Sequence, residues 1–362
     1  MNFPGLEPVH RFAHEAMGTI FEVVIAGQER EYASQASKAV FREVDRLESL
    51  FSRFNPCSEI GQINALQPSR SLQIGVEVYE CLQSAEQVRL DTAGAFDVNY
   101  RPRLRIHSPE SRRRTRPNRR AGNSLYSGLY TNNTKKQPLP LNHPLPRPLP
   151  SREREFFPPY DVNNPGYELL SGADGFAIRR PELVGEKDAA SLDLDLGGIG
   201  KGYALDRAAA VLSDWTVERA LVHSGTSTVA AIGSALGPGS NEQGWPMGVG
   251  GKWTAAGAPG PVLLWNRALS GSGTEVKGGH ILDPRTGGRA QSHLSAWVSH
   301  PSAAIADALS TAFMVMEQKE VRAYCARHPE VWALVITSAG KPLSYNPHIL
   351  SSPSPNRRNM GC

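Results

Sequence analysis

Four cysteines in 362 residues, Cys57, Cys81, Cys325 and Cys362, are too few and too scattered for a disulfide framework. No Cys-x-x-Cys pair is present for zinc or thiol exchange. The chain also lacks any apolar run approaching the ~20 residues a membrane helix needs, so no transmembrane segment is expected. Met1-Asn2-Phe3-Pro4-Gly5 offers neither the charged nor the apolar region of a secretory signal, and no early cysteine offers a lipid anchor. These absences point to reduced thiols and a cytoplasmic location, with a periplasmic or membrane-associated one as the alternative. Neither the P-loop spacing GxxxxGK[ST] nor the dinucleotide fingerprint GxGxxG occurs in the glycine-rich stretch described below.

An excess of basic charge is lacking outside a single segment. The net charge is +4, yet residues 101–160 hold 14 Lys/Arg against 3 Asp/Glu, which leaves the rest of the chain mildly acidic. The same 60 residues carry 11 of the 28 prolines and show neither a helix nor a strand period. A segment of this kind buries too little apolar surface to offset its ordering entropy. It reads as a long, disordered, basic, Pro-rich insertion. A nucleic-acid-binding arm is the alternative, but aromatic residues do not interleave with the basic ones, so no nucleic acid partner is expected. The expected organisation is one domain from 1–100 and 161–350, the insertion at 101–160, and a disordered tail at 351–362.

What is present is a soluble-type composition, 40% hydrophobic, with helix and strand periods interleaved. Thr19 to Ala26 reads as a strand. Glu31 to Phe51 reads as an amphipathic helix with Ala33, Ala36, Val40, Val44, Leu47 and Leu50 on one face. Val76 to Ala93 and a stretch from near Tyr203 read as two further helices. Leu221 to Ile232 reads as one strand, with short strands around Gly248, Leu263, Ala268 and Trp297. Ala303 to Met316 reads as a fourth helix and Val331 to Thr337 as a last strand. No regular βαβ repeat appears, so the expected class is α+β, a mixed β-sheet core with packed helices.

The most informative stretch is Asp193-Leu194-Asp195-Leu196-Gly197-Gly198-Ile199-Gly200-Lys201-Gly202-Tyr203. Its alternating start reads as a half-buried strand; a glycine-rich turn and a helix start follow. Backbone N–H groups at such a turn favour an anion such as phosphate, whereas tight packing alone also accounts for the glycines. In Ala306-Asp307-Ala308-Leu309-Ser310-Thr311 the Asp307 carboxylate and Thr311 hydroxyl share a helix face. Oxygen donors of that kind suit a hard cation such as Mg²⁺. The competing reading is that Thr311 bonds back to the Asp307 carbonyl and Asp307 is solvated. His280-Ile281-Leu282-Asp283-Pro284-Arg285-Thr286-Gly287 pairs a candidate general base, His280, with an aspartate that equally well holds a turn. In Gly94-Ala95-Phe96-Asp97 the Phe96-Asp97 pair reads either as an apolar wall with an acceptor or as a core Phe beside a surface Asp. Met17 in Ala16-Met17-Gly18-Thr19 reads as core filler.

Taken in order, with Phe51-Ser52-Arg53-Phe54, Ser58-Glu59-Ile60 and Asn64 added, these motifs resemble the ApbE-type FAD:protein FMN transferase family over about residues 10–340. The resemblance implies an ApbE/T-fold-like architecture and Mg²⁺-dependent transfer of FMN from FAD to a Thr or Ser hydroxyl of an acceptor flavoprotein, with release of AMP. It implies that Gly200 (through its carbonyl), Asp307 and Thr311 hold the metal. It implies that Met17, Phe54, Ala95, Phe96, Asp97, Gly197, Lys201, Ile281 and Ser310 contact FAD. His280 becomes the base for the acceptor hydroxyl, with Asp283 supporting it, and Asp193 and Asp195 become secondary. One departure stands out: His223-Ser224-Gly225-Thr226 occupies the place of the family's Gly-Gly-Asp/Asn. An FAD pyrophosphatase and a catalytically inactive FAD-binding protein are the alternatives.

Overall fold

In the computed structural model, the described residues are 8–100, 161–182, 192–237, 244–250, 261–273 and 281–351. The insertion expected at 101–160 and the tail beyond residue 351 lie outside them.

The chain opens with a hairpin of β1 (Val9–Ala16) and β2 (Thr19–Ala26). Its two turn residues, Met17 and Gly18, both have positive φ, 50° and 69°, the backbone that matches the right-handed twist of paired strands. Helix α1 (Arg30–Phe51) follows and buries Ala33, Ala36, Val40, Val44, Leu47 and Phe51 at helical spacing. The short helix α2 (Glu59–Asn64) starts at Ser58, whose hydroxyl accepts the Gly61 N–H. Strand β3 (Ser71–Ile74) and helix α3 (Val76–Asp91) come next. β3 pairs with β5 (Gly175–Arg179), and β5 with β4 (Glu168–Gly172), in a small three-stranded sheet.

The second half carries helix α4 (Gly200–Asp214) and strands β6 (Ala220–Ser224) and β7 (Thr228–Ile232). The two-stranded ribbon of β8 (Trp245–Met247) and β9 (Val262–Leu264) follows. Then come β10 (Arg267–Gly273), β11 (His293–His300) and helix α5 (Ala303–Val315). Helix α6 (Gln318–Arg327), strands β12 (Trp332–Thr337) and β13 (Pro342–Tyr345) and helix α7 (His348–Ser351) close the described chain.

Eight strands form the main sheet in the order β1-β2-β6-β7-β10-β11-β12-β13. Every neighbouring pair runs antiparallel. The α+β class holds, and the sheet expected to be mixed is antiparallel throughout. The physical reason is the connections: hairpins join β1 to β2, β6 to β7 and β12 to β13, and short hairpins reverse the chain. Both faces of the sheet are covered. Phe21, Val23 and Ile25 point into the core beneath the helices, while Val24 and Ala26 join Trp245, Leu264 and Leu334 on the other face. Helix α5 lies against β10 and β11, and α4 wedges between α1 and α5. Nearly every α5 residue is buried, from Ala303 to Val315.

Three further expectations are corrected. Leu221 to Ile232 is a hairpin, because Gly225 at φ 59° turns the chain between β6 and β7. Val331 to Thr337 is not the last strand, since β13 pairs with it as an edge. Leu192 to Leu196 does not join a sheet. Its backbone is held by other partners: Asp193 N–H by Asn99 Oδ1 at 3.0 Å, Leu194 N–H by Asn64 Oδ1 at 2.6 Å, and Asp195 N–H by the Val98 carbonyl at 2.8 Å. Alternation in the sequence reports burial on one side; it does not report whether the donors find a strand.

Candidate active site

One end of the main sheet collects polar residues from several elements. The antiparallel register puts Thr228 of β7 opposite Ser270 of β10, next to the β6–β7 turn. Helix α5 crosses the same end. Because Asp307, Ser310 and Thr311 are three and four residues apart, they share one face of it. The result is a buried carboxylate, 4% exposed, surrounded by donors.

Each carboxylate oxygen of Asp307 has two partners. Oδ1 accepts from Thr228 Oγ1 at 3.2 Å and from Ser270 Oγ at 3.3 Å. Oδ2 accepts from the Gly202 N–H at 3.2 Å and lies 3.7 Å from Lys201 Nζ. A charge this deep requires such compensation, since an unpaired buried carboxylate is very costly. Around it, Ser310 bridges Ser270 at 3.2 Å and Ser272 at 2.9 Å. Ser310 and Thr311 both donate to the Asp307 carbonyl, at 3.0 and 3.3 Å. The back-bond weighed for Thr311 is therefore present, but the solvated Asp307 that went with it is not. Nearby, burial, reinforced by the negative charges of Asp307 and Asp206, raises the Cys81 thiol far above its ordinary value, so it is not a nucleophile.

The glycine-rich turn approaches this carboxylate closely. Leu196–Gly198 forms one turn of 3₁₀ helix, with Asp195 Oδ1 accepting the Gly197 N–H at 3.0 Å. Helix α4 begins at Gly200. Gly202 packs against the start of α5 so tightly that a Cβ there would sit 2.2 Å from the Ala303 carbonyl oxygen. A Cβ on Gly198 would sit 3.1 Å from the Phe96 ring and 3.4 Å from Thr311 Oγ1. Lys201 folds back over the turn and donates to the Gly197 carbonyl at 2.7 Å. The structure thus brings together Phe96, Gly197, Gly198, Lys201, Asp307, Ser310 and Thr311. Gly200 is buried beside Leu196 and Phe51.

Other sequence-derived candidates are placed differently. Ala95 and Asp97 are buried, and Asp97 Oδ1 accepts the Asn99 N–H at 2.7 Å. Phe54 is 83% exposed, with the Arg53 guanidinium 5.0 Å from its ring centre. Met17 occupies the β1–β2 turn and packs on the core from its rim. Ile281 joins the core. Asp283 holds a turn: its carbonyl accepts from Gly287 N–H at 2.7 Å, and its carboxylate takes the Arg285 side chain at 3.0 and 3.2 Å. Arg285 also reaches Glu320 at 2.9 Å. His280 lies outside the described residues. Asp193 pairs with Arg53 at 2.5 Å, which gives it a structural partner.

The residues that sequence reasoning did not single out are Thr228, Ser270 and Ser272. The Ser-Gly-Ser-Gly run at 270–273 was a visible signal, since alternate residues of a strand face one side. Only the pairing of β7 with β10 reveals that Thr228 and Ser270 face Asp307 together.

Fold and site together define an α+β protein with a glycine-rich turn set beside a buried, hydroxyl-ringed carboxylate. A family model described as the ApbE family matches residues 17–147 and 161–335, and the chain belongs to that family. It is similar to the FAD:protein FMN transferase of Salmonella typhimurium, with 22% identity over 315 residues, covering 83% of this chain and 77% of the relative. Among solved structures it resembles the apo flavinyl transferase ApbE of Pseudomonas stutzeri, with a TM-score of 0.64 at 21% identity, covering 95% and 97% of the two chains. It also resembles the ApbE protein of Thermotoga maritima, with a TM-score of 0.67 at 23% identity, covering 96% and 100%.

Proposed function

We propose that the protein transfers FMN from FAD to a Thr or Ser hydroxyl of an acceptor flavoprotein, with Mg²⁺, and releases AMP. The observation that carries this reading is Asp307, buried among hydroxyls directly beside the Gly197–Gly198 turn. Family membership and the name of the Salmonella relative support it.

The donor chemistry fits a hard cation. A carboxylate (Asp307), a hydroxyl (Thr311) and a backbone carbonyl (Gly200) are all oxygen ligands, the kind Mg²⁺ takes while keeping waters. When bound, Mg²⁺ supplies neutralising charge to the pyrophosphate oxygens. The chain's own residues do the rest. The Gly197 and Gly202 N–H groups are already taken by Asp195 and Asp307, so the helix start at Gly200 and the Lys201 ammonium are what attract the phosphates. Phe96 backs the turn, and Met17, the exposed Phe54, Ala95, Asp97 and Ile281 are the proposed flavin-side contacts. Ser310, one turn along α5 from Asp307 and bonded to Ser272, is a further proposed FAD contact. His280 is the proposed base that takes the acceptor hydroxyl proton. Asp283 acts through the turn it holds next to His280.

Incubation with FAD, Mg²⁺ and an acceptor flavoprotein should leave a fluorescent protein band and an equivalent of AMP. Asp307→Ala should abolish AMP release while FAD binding persists. AMP appearing in wild type without any acceptor indicates a pyrophosphatase. Bound FAD that survives Mg²⁺ and the acceptor flavoprotein together, with no fluorescent band, indicates a binding protein. Either result sinks the transferase reading.

A further inference from the structure

Lys201 occupies an unusual place for a cation. It is the second residue of α4, where the first-turn N–H dipoles and the helix dipole already make the surroundings positive. An ammonium there is locally unfavourable, and violations of local preference concentrate at functional sites. Its side chain is mostly covered, 22% exposed, and it folds back rather than reaching into solvent. Its ion-pair partner is the Asp307 carboxylate, 3.7 Å away, and its short hydrogen bond is to the Gly197 carbonyl. The other partners of Asp307 are neutral: two hydroxyls and one N–H. Lys201 is therefore the single cation answering the buried charge of Asp307 among the described residues. A divalent cation at Asp307 answers the same charge and repels an ammonium held close by.

We propose that Lys201 is a placeholder cation: it neutralises Asp307 in the metal-free protein and gives up that position when a divalent cation binds, its ammonium then free for the substrate's phosphates. This rests on the metal reading of Asp307 given above. In that exchange no covalent bond changes, and the net charge beside Asp307 rises by the metal's charge only if Lys201 stays; its withdrawal limits the rise.

The test needs neither FAD nor turnover. Mn²⁺ binding and metal-free thermal stability are measured on the full chain for wild type, Lys201→Met, Lys201→Arg and Asp307→Asn. Lys201→Met should bind Mn²⁺ about tenfold more tightly than wild type, a 1.4 kcal/mol difference. Its metal-free form should melt at a lower temperature, because Asp307 has lost its counter-charge. Lys201→Arg keeps the cation and should behave like wild type in both readouts. Mn²⁺ affinity in Lys201→Met equal to or below that of wild type, with Asp307→Asn still abolishing binding, overturns the placeholder role and leaves the metal reading standing. Binding that is indifferent to Asp307→Asn, or absent from every protein, overturns both.

Discussion

Asp307 illustrates how a single side chain in this protein is specified by its neighbours. Its carboxylate meets hydroxyls from two strands, an N–H from one helix and an ammonium from the same helix. None of these partners is near it in the chain except through the fold. His300, at the end of β11, is a second residue whose behaviour the surroundings determine. Its Nδ1 lies 3.0 Å from the Ser302 N and 3.3 Å from the Ser302 carbonyl oxygen, just before α5 begins, accepting from the first when the nitrogen is bare and donating to the second when it carries a proton. Burial pushes its pKa down to about 4 from an ordinary 6.5; the hydrogen bond to the Ser302 backbone opposes this, Arg267 adds to it and Glu330 opposes it more weakly. The folded state thus takes up its proton less readily than the unfolded state. Stability from this group is complete above pH 6.5 and is lost as the pH falls toward 4. The expected loss between pH 7 and pH 4.5 is about 2–3 kcal/mol, from 1.36 kcal/mol per pKa unit. Urea titrations of wild type and His300→Gln at the two pH values measure it. A slope with pH that is the same in both proteins refutes the assignment to His300.

Elements meet most closely where α4 crosses the start of α5. Asp206 of α4 accepts from the Ala303 and Ala304 N–H groups at 2.6 and 3.0 Å and from the Ser302 hydroxyl at 2.7 Å. It caps α5 from a neighbouring helix, which satisfies donors that a helix start leaves open. Four residues before it, Gly202 touches the α5 backbone, and a methyl group there meets the Ala303 carbonyl at 2.2 Å with no flexible side chain to yield. Gly202→Ala should cost about 2–3 kcal/mol, the upper part of the overpacking range, because both partners are backbone. Gly200→Ala is the internal control. Its added methyl makes ordinary contacts at 3.4 and 3.5 Å, and alanine is the better helix former by about 0.5–1 kcal/mol. Chemical denaturation should rank Gly202→Ala well below wild type and Gly200→Ala at or above it. The reverse order rules out the close crossing as the reason for the glycine.

At the scale of the whole molecule, one core cluster draws residues from Ala16 to Val335, so the two sides of residues 101–160 share their packing. The flanks of that segment are tied together. Asn99 donates to the Pro165 carbonyl at 2.8 Å and accepts the Asp193 N–H, and the Arg89 guanidinium donates to the Val162 carbonyl. Replacing residues 101–160 by a short Gly/Ser linker should therefore leave the fold intact. Each halving of a closed loop recovers about 0.6 kcal/mol, so the shortened chain should melt at the same temperature or slightly higher. A shortened chain that fails to unfold cooperatively, or melts several degrees lower, contradicts this.

Much of the architecture was legible because it depends on period. The helical spacing of Val40, Val44 and Leu47, and the all-apolar run from Val23 to Ala26, announce α1 and β2 wherever they sit. The glycines of 197–202 and the spacing of Asp307 and Thr311 likewise announced a candidate site. The hairpin at Gly225, the edge strand β13 and the extended 192–196 segment were not legible, since each depends on which backbone group finds which partner. The same division holds for chemistry. Residue type and helical spacing alone determined that Asp307, Ser310 and Thr311 share a face and that a glycine turn precedes α4. Only the tertiary structure decided that Thr228 and Ser270 turn toward that face and that Lys201 answers its charge. The reason is physical: local periodicity is written in neighbouring residues, whereas the compensation of a buried charge is completed across strands and helices far apart in the chain.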